Sequence, residues 1–333
     1  MFIEVKPEQA LLILGAMERV ATANGAGALT EPNHAALAAT HHYIFRSTDA
    51  LDVEALPPTI PIVLAAALED PAVADHAAQL LTVMALVDGT VDEARIVVVI
   101  DYATAMGVEA DYVRQLSELG RRNLQWVAAD VQRQNLRSIT GRSMDVTIDD
   151  WILPYTGGRI DAALTERYRA LADLPAGTHG RTFFDFYTTY GFAFPGEAAG
   201  LNAEFATPHD STHVLSGYDT SPQGELLVST FTAGMHPHEP MSGHILPVII
   251  TWHLGIELVK FTGSYQGALD PEKFFVAWER GSEVRTDVFD RSWDFWAAAS
   301  RPLADLRTEY GVPPLDAKHA ASGDVPDWYH PTA

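Results

Sequence analysis

Apolar side chains recur every three or four positions along most of this chain, and this spacing places them on one face of an α-helix. The first such segment, residues 7–20, carries its apolar side chains at Leu11, Leu12, Leu14, Met17 and Val20. Pro7 stands where a first helical turn tolerates proline, and Asn24 and Gly25 follow the last apolar position. The segment is therefore predicted to form an amphipathic helix.

Similar patterns predict helices at 33–45, 75–87, 91–106, 109–136, 161–172 and 182–190. Thr90 and Glu93 have the spacing of a capping box, which predicts that the helix after Asp88 and Gly89 starts at Thr90. The alternation of polar and apolar residues that marks a strand is rare. The fold is therefore predicted to be all-α, with two packed helical domains.

A short polar segment at 138–147 separates the two groups of predicted helices. We place the domain boundary there, with an N-terminal helical domain at 1–137 and a second helical domain at 138–320. The segment after Pro313 contains Gly323, Pro326 and Pro331 and has no helical pattern. Residues 321–333 are therefore predicted to be a flexible tail.

The run that comes closest to the length of a membrane span, residues 245–261, includes His253, Glu257 and Lys260. A membrane span needs about 20 apolar residues, so this run is predicted to be a buried helix instead, in which His253 and Glu257 share a face. Peripheral contact with a bilayer stays open, because an apolar substrate would have to be collected from one. His236 and His238 lie in a proline-rich loop, where a surface position is expected.

The amino-acid composition argues against some classes of binding partner and excludes cysteine-based chemistry. The chain has 333 residues, of which 22 are Lys or Arg and 44 are Asp or Glu, giving a net charge of -22. This excess of negative charge argues against a nucleic-acid partner and against electrostatic attraction to an anionic membrane. The absence of cysteine excludes disulfides, thiolate metal sites and cysteine nucleophiles. The N-terminus lacks the pattern of a secretory signal, so a cytoplasmic location is expected.

The segment from His209 to Glu225 has the spacing of a metal site. On a helix, His209 and His213 lie one turn apart on the same face, so both imidazoles can reach one ion. Gly217 and the residues up to Pro222 would break that helix, and Glu225 would fall in the first turn of the next one.

Two imidazoles and a carboxylate would suit a divalent first-row ion, zinc first, with iron, manganese and cobalt as alternatives. Asp210 is a candidate fourth ligand or a partner that orients a histidine. The alternative for the same residues is structural, because a His-x-x-x-His pair also arises by chance and buried histidines commonly serve as core or cap residues.

Three further segments accompany H-D-x-x-H and its glutamate, which follows after eleven residues. They are L-P-A-G-T-H-G-R at 174–181, S-W-D-F-W at 292–296 and L-A-D-L-R-T-E-Y-G-V at 303–312. In order and separation, these segments resemble the coenzyme Q biosynthesis protein 4 family over roughly residues 140–320. In the N-terminal half, M-A-L-V-D-G-T-V-D-E at 84–93 is similar to the tellurite-resistance TerB-like helical domain.

The coenzyme Q family resemblance implies an all-α fold and a role in quinone biosynthesis, where the family is linked to oxidative decarboxylation of a prenylated aromatic ring. Such an enzyme would bind its ion through His209, His213 and Glu225. Asp210 is then a candidate ligand and catalytic residue, and Arg181 is a weaker candidate for holding the ring carboxylate. Arg181 has an equal alternative as a structural cap or ion pair.

A second hypothesis makes the protein a non-catalytic scaffold. In it, a helical cavity holds a prenylated quinone precursor or another apolar lipid, the ion only fixes two helices, and the N-terminal domain recruits partner enzymes of a biosynthetic complex. The N-terminal half and the His/Pro-rich loop at 235–243 depart from the family pattern, so another prenylated quinone or an aromatic acid stays open as the substrate. Homo-oligomerisation is also left open.

Overall fold

The computed structural model describes residues 4–140, 160–258 and 263–329. In these ranges all regular structure is helical, and the β-type pairing consists of isolated bridges, Thr178 with Pro302 and Leu254 with Gln266. The protein is all-α, as predicted. No helix in the described ranges is both long and apolar enough to cross a membrane.

The helices of the first half are α1 (Pro7–Ala21), α2 (Glu31–Ala39), α3 (Pro61–Ala67), α4 (Pro71–Leu86), α5 (Glu93–Met106), α6 (Asp111–Gly120) and α7 (Leu124–Thr140). Those of the second half are α8 (Ala162–Arg169), α9 (His179–Tyr190), α10 (Ala203–Ser216), α11 (Pro222–Met235), α12 (Pro271–Ser282), α13 (Phe295–Ala299) and α14 (Leu303–Tyr310). Shorter π- and 3₁₀-helical turns connect them, and the polar segment at 138–147, where the domain boundary was predicted, lies mostly outside the described residues.

Helix α5 begins later than its sequence predicts. Its N-cap is Asp92, whose carboxylate accepts a hydrogen bond of 2.8 Å from the backbone N–H of Ala94. Thr90 instead donates its hydroxyl to the Asp88 carboxylate, which also pairs with Arg95. The capping box predicted at Thr90 is therefore wrong, because an aspartate closer to the apolar run supplies the N-cap acceptor.

The long helix predicted at 109–136 is two helices. The chain turns between α6 and α7, where Arg122 adopts a left-handed conformation with φ of 59°. The Asn123 side chain donates to Glu118 over 2.7 Å and holds this turn. A non-glycine residue at positive φ is uncommon, and helical periodicity on both sides of it conceals the interruption.

The apolar run at 245–261 does not form one buried helix. A π-helical turn (Pro240–Ile245), one α-helical turn (Leu246–Val248) and a second π-helical turn (Ile249–His253) carry the chain as far as His253. Pro247 lacks the N–H that a regular helix would need, and Gly255 turns away at φ of 70°. His253 accepts from the Leu269 N–H over 3.1 Å and donates to the Val87 carbonyl over 3.1 Å, so neither ring nitrogen is left for Glu257.

The chain packs as two compact units, and each draws on more than one stretch of sequence. One unit comprises Gln132–His244 and Arg280–Ala333, and the other comprises Phe2–Val131 and Ile245–Glu279. The sequence placed 245–279 in the second domain, but these residues pack with the N-terminal ones. Contacts inside that unit include His253 with Val87 and the rings of Trp278 and His76, whose centroids lie 5.6 Å apart.

The unit that contains α8 to α11 is built around stacked aromatic rings. Tyr187 of α9 lies between Phe183 and Phe194, with both ring-centroid distances at 4.8 Å. Phe186, the residue before Tyr187 in α9, packs against the imidazole of His213 with centroids 5.3 Å apart. These rings belong to an aromatic stripe of α9 at 183–190, which fixes α9 against α10.

The C-terminal segment is packed as far as the structure describes it. Asp327–Tyr329 form a 3₁₀-helical turn, and Tyr329 is 8% exposed. The Tyr329 hydroxyl accepts from the N–H of Leu315 over 3.1 Å. The prediction of a flexible tail at 321–333 is therefore wrong for its described residues, 321–329, because the buried Tyr329 side chain holds a stretch whose glycine and proline content alone indicated flexibility.

Candidate metal centre

Helix α10 carries the two histidines of the motif on one face, as the spacing predicts. Asn202 caps its start by accepting from the Glu204 N–H over 2.8 Å, and Gly217 ends it at φ of 90°. The ring centroids of His209 and His213 lie 4.9 Å apart. The helix therefore presents two imidazoles to one point in space.

A tight turn brings Glu225 back to this point. Asp219 accepts from the backbone N–H of Ser221 over 3.0 Å, and Ser221 caps α11 by accepting from the Gly224 N–H over 3.1 Å. A Cβ atom at Gly224 would lie 2.0 Å from the Asp219 carbonyl oxygen, so only glycine fits. Glu225 follows in the first turn of α11, where the sequence placed it.

The Glu225 carboxylate lies 3.6 Å from the Nε2 atom of His209 and 3.6 Å from the Nε2 atom of His213. Both distances exceed the 2.7–3.2 Å of an ordinary N–H···O hydrogen bond. They agree with the separation of about 3.4 Å expected between two ligand atoms that share one tetrahedral zinc ion. The three side chains are thus spaced like ligands and not like hydrogen-bond partners.

His213 offers a fixed and unsatisfied lone pair. Its Nδ1 atom donates to the Tyr218 carbonyl over 2.8 Å, so Nε2 is the unprotonated atom of the neutral ring. Nε2 is buried and has no hydrogen-bond partner, and the His213 side chain is 1% exposed. A buried acceptor without a partner is costly, and coordination of a cation would satisfy this one.

Asp210 lies behind His209. One carboxylate oxygen is 2.9 Å from Nδ1 of His209, and the other accepts the hydroxyl of Tyr187. Ligand atoms of His209, Asp210 and His213 also lie within 4.8 Å of one another, which would allow Asp210 to bind the ion directly. We favour an orienting role, because both of its oxygens already have partners.

The carboxylates and imidazoles of the cluster shift each other's pKa. Burial lowers the pKa of the His213 imidazole, but the nearby Glu225 and Asp210 carboxylates outweigh burial and raise it above its ordinary value. Burial raises the pKa of the Glu225 carboxyl, and the two histidines reverse this and lower it. Protons and a metal ion therefore compete for the same nitrogens, so metal binding should weaken as the pH falls.

Two arginines hold the C-terminal end of α10. Arg307 of α14 donates to the carbonyls of Val214 over 2.7 Å and Leu215 over 3.1 Å. Arg280 donates to the carbonyl of Ser216 over 2.9 Å. Cations at this end of a helix satisfy its last carbonyls and complement its dipole. They keep the helix that carries both histidines in place.

Arg181 has structural partners. Its Nε atom pairs with Asp185 over 2.9 Å, one turn further along α9, and its Nη1 atom donates to the Ala172 carbonyl over 3.2 Å. These contacts correspond to the structural alternative that the sequence left open. A role for Arg181 in holding a substrate carboxylate stays a prediction.

His238 of this unit is exposed, as expected, but His236 and His179 lie in the interior. His236, expected at the surface, is 2% exposed and contacts the Asp287 carboxylate over 2.7 Å. His179, inside the 174–181 segment, is fully buried and neither ring nitrogen has a hydrogen-bond partner. Burial lowers the pKa of His179 to about 3, with Arg307 adding to the effect, so the ring is neutral.

Sequence reasoning did not assign a function to Tyr187, Arg280 or Arg307. Arg307 lies in the 303–312 segment of the motif, and this position could have identified it as a candidate functional residue. Tyr187 lies in the aromatic stripe of α9, which indicated only that it is buried. Comparisons with protein-family models, with curated proteins and with solved structures found no match to this chain. The centre is therefore interpreted from its own geometry and from the motif.

Proposed function

We propose that this protein is a metal-dependent enzyme that binds one divalent ion through Nε2 of His209, Nε2 of His213 and the carboxylate of Glu225. The observation that carries the proposal is the buried and unpaired Nε2 atom of His213, 3.6 Å from a carboxylate oxygen. Zinc is the ion we favour, because two imidazoles and one carboxylate are a common catalytic zinc ligand set. Iron, manganese and cobalt accept the same ligands.

The geometry favours a catalytic over a purely structural ion. Structural zinc sites are closed by four protein ligands, whereas catalytic sites keep a position for water or substrate. Here three side chains converge, and Asp210 is held back by Tyr187 and His209. His209 and Glu225 are 18% and 25% exposed, so the centre is accessible from solvent on their side.

For the substrate, the motif resemblance supports a prenylated aromatic ring that carries a carboxylate. In the proposed reaction, the bond between the ring carbon and the carboxylate carbon breaks, carbon dioxide leaves, and a hydroxyl group takes its place on the same ring carbon. This two-electron oxidation needs an external acceptor, and dioxygen balances it when one water is consumed and hydrogen peroxide is formed. A divalent ion supplies Lewis-acid polarisation of a carboxylate or phenolic oxygen. The chain's own contribution is to hold three ligands in place and to leave one face of the centre open.

A specific observation favours a second candidate, the lipid-binding scaffold. Aromatic rings extend from the centre toward the surface, since Phe186 packs on His213 and also contacts Tyr190, Phe192 and Trp328. Phe192 is 43% exposed. Such a surface suits the apolar tail of a prenyl lipid whether or not chemistry follows.

The first test is elemental analysis of protein purified without a metal-affinity column, beside the Glu225→Gln variant. We expect about one zinc per chain in the wild type. Glutamine is nearly isosteric with glutamate and a similar helix former, so the variant should keep its helical circular dichroism and lose zinc affinity by more than about 100-fold. Glu309→Gln, at an exposed glutamate that pairs with Arg301, is the matched control and should bind zinc like the wild type.

Wild-type protein that holds no metal and takes up none from solution would overturn the metal-dependent function. Once the ion is established, release of labelled carbon dioxide from a prenylated hydroxybenzoate distinguishes the two candidates. The enzyme should release it in a metal-dependent manner. The scaffold should bind the same compound without turnover.

A further inference from the structure

Tyr187 occupies a position that the metal ligands alone do not explain. It is 2% exposed in α9, and its hydroxyl donates to Asp210, whose other oxygen contacts Nδ1 of His209. Burial and the Asp210 carboxylate raise the pKa of this phenol well above 10, so the hydroxyl keeps its proton and donates it. Tyr187, Asp210 and His209 therefore form one chain of hydrogen bonds that ends at a candidate ligand.

The direction of these bonds fixes the tautomer of His209. The Asp210 carboxylate only accepts, so Nδ1 of His209 is the protonated nitrogen and Nε2 carries the lone pair. Nε2 is the atom that faces Glu225 at 3.6 Å. The same tautomer is fixed at His213 by the Tyr218 carbonyl, so both lone pairs point to one place.

His209 and Asp210 are neighbours on a helix, where consecutive side chains point in different directions. Their contact therefore depends on each side chain keeping one conformation. Tyr187 restrains Asp210, and the stacking of its ring between Phe183 and Phe194 restrains Tyr187 in turn. The aromatic layer formed by Phe183, Tyr187 and Phe194 thus restricts the conformation of the His209 imidazole through Asp210.

We infer that Tyr187 is a positioning residue of the metal centre, which acts through Asp210 to hold the Nε2 atom of His209 toward the ion. This inference rests on the proposed metal-dependent function and adds to it a residue outside the H-D-x-x-H segment. Hydrogen-bond partners of metal-bound histidines typically contribute 10–100-fold to metal affinity.

The test is zinc affinity, measured by competition with a chromogenic chelator, for the wild type and for Tyr187→Phe. This change removes one hydroxyl and keeps the stacked ring, and we expect it to weaken zinc binding by about 10-fold. Tyr168→Phe is the matched control, because Tyr168 is another buried tyrosine of the same aromatic layer whose hydroxyl contacts Thr207. The control should change zinc affinity by less than about 2-fold.

A double-mutant cycle separates positioning from a general loss of structure. If Tyr187 acts through Asp210, Tyr187→Phe should have little further effect on zinc affinity in an Asp210→Ala background. Asp210→Asn replaces alanine if circular dichroism shows that the alanine variant has lost its helices. An equal loss in both backgrounds, or an affinity of Tyr187→Phe within 2-fold of the wild type, would overturn the positioning role alone. Wild-type protein that binds no zinc would overturn it together with the proposed function.

Discussion

Replacing Arg307 with methionine should destabilise the unit that carries the candidate metal centre, although Arg307 touches none of the proposed ligands. Its guanidinium satisfies the carbonyls of Val214 and Leu215 at the end of α10 and that of Tyr329, over which it also stacks at 3.8 Å. Methionine fills a similar volume but donates no hydrogen bond. Arg307→Met therefore tests the loss of the guanidinium hydrogen bonds with little change in packed volume.

The expected loss in the free energy of unfolding depends on how deeply the acceptor carbonyls of Val214 and Leu215 are buried. Val214 and Leu215 are 0% and 2% exposed, so water cannot readily replace the guanidinium at their carbonyls. Each hydrogen bond to a charged group contributes about 1.5–3 kcal/mol. Taking the lower value for the two buried carbonyls, and about 0.5 kcal/mol for the helix dipole, gives a loss of about 3.5 kcal/mol in the free energy of unfolding.

The assay is urea denaturation followed by circular dichroism, with Arg285→Met as the matched control. Arg285 also donates to the last carbonyls of a helix, those of Thr308 and Glu309, but it does so at the exposed surface. Its loss should cost about 0.5 kcal/mol or less, as is usual for surface substitutions. If the two variants are equally stable, then burial of the α10 carbonyls does not determine the contribution of Arg307.

Two other predictions follow from single positions. His179→Leu should stabilise the protein more at pH 5 than at pH 8. In the unfolded chain His179 is protonated below about pH 6.5, whereas in the folded protein its pKa is about 3 and the ring stays neutral. The wild type therefore loses stability as the pH is lowered through this window, by about 2 kcal/mol at pH 5. A His179→Leu variant whose gain in urea midpoint is the same at both pH values would contradict the neutral buried ring. Gly224→Ala should lower both stability and zinc affinity, because its Cβ would overlap the Asp219 carbonyl at 2.0 Å. Gly177→Ala is the control, since no atom lies within 4 Å of its Cβ but its φ of 79° strains any other residue, and it should lower stability alone. Unchanged zinc affinity in Gly224→Ala would show that the turn does not place Glu225.

The local parts of the site were predictable from the sequence because they depend on short-range rules. The i, i+4 spacing of His209 and His213, the break at Gly217 and the proline that begins α11 at Pro222 each determine the backbone within a few residues. These rules placed the histidines on one face and Glu225 in the next helical turn. The role of the three side chains as ligands stays a prediction.

The distant parts were not predictable in this way. The aromatic stripe of α9 indicated burial but not that the Tyr187 hydroxyl would meet Asp210, and no spacing rule connects Arg307 with Val214. The interruptions at Arg122 and Pro247 were missed for a related reason. Apolar periodicity reports which face is buried, and it continues across a turn when both flanking segments pack on the same core.

The grouping of Ile245–Glu279 with Phe2–Val131 bears on how such a protein could have arisen. Simple end-to-end fusion of two ancestral genes leaves each unit as one uninterrupted stretch. Here a later stretch supplies His253 to the turn at Val87 and Trp278 to His76, so the N-terminal unit is completed by residues that follow the His209–Glu225 segment. A chain divided after Val131 would therefore leave the N-terminal unit without Ile245–Glu279, whereas both stretches of the other unit would stay together in the C-terminal piece.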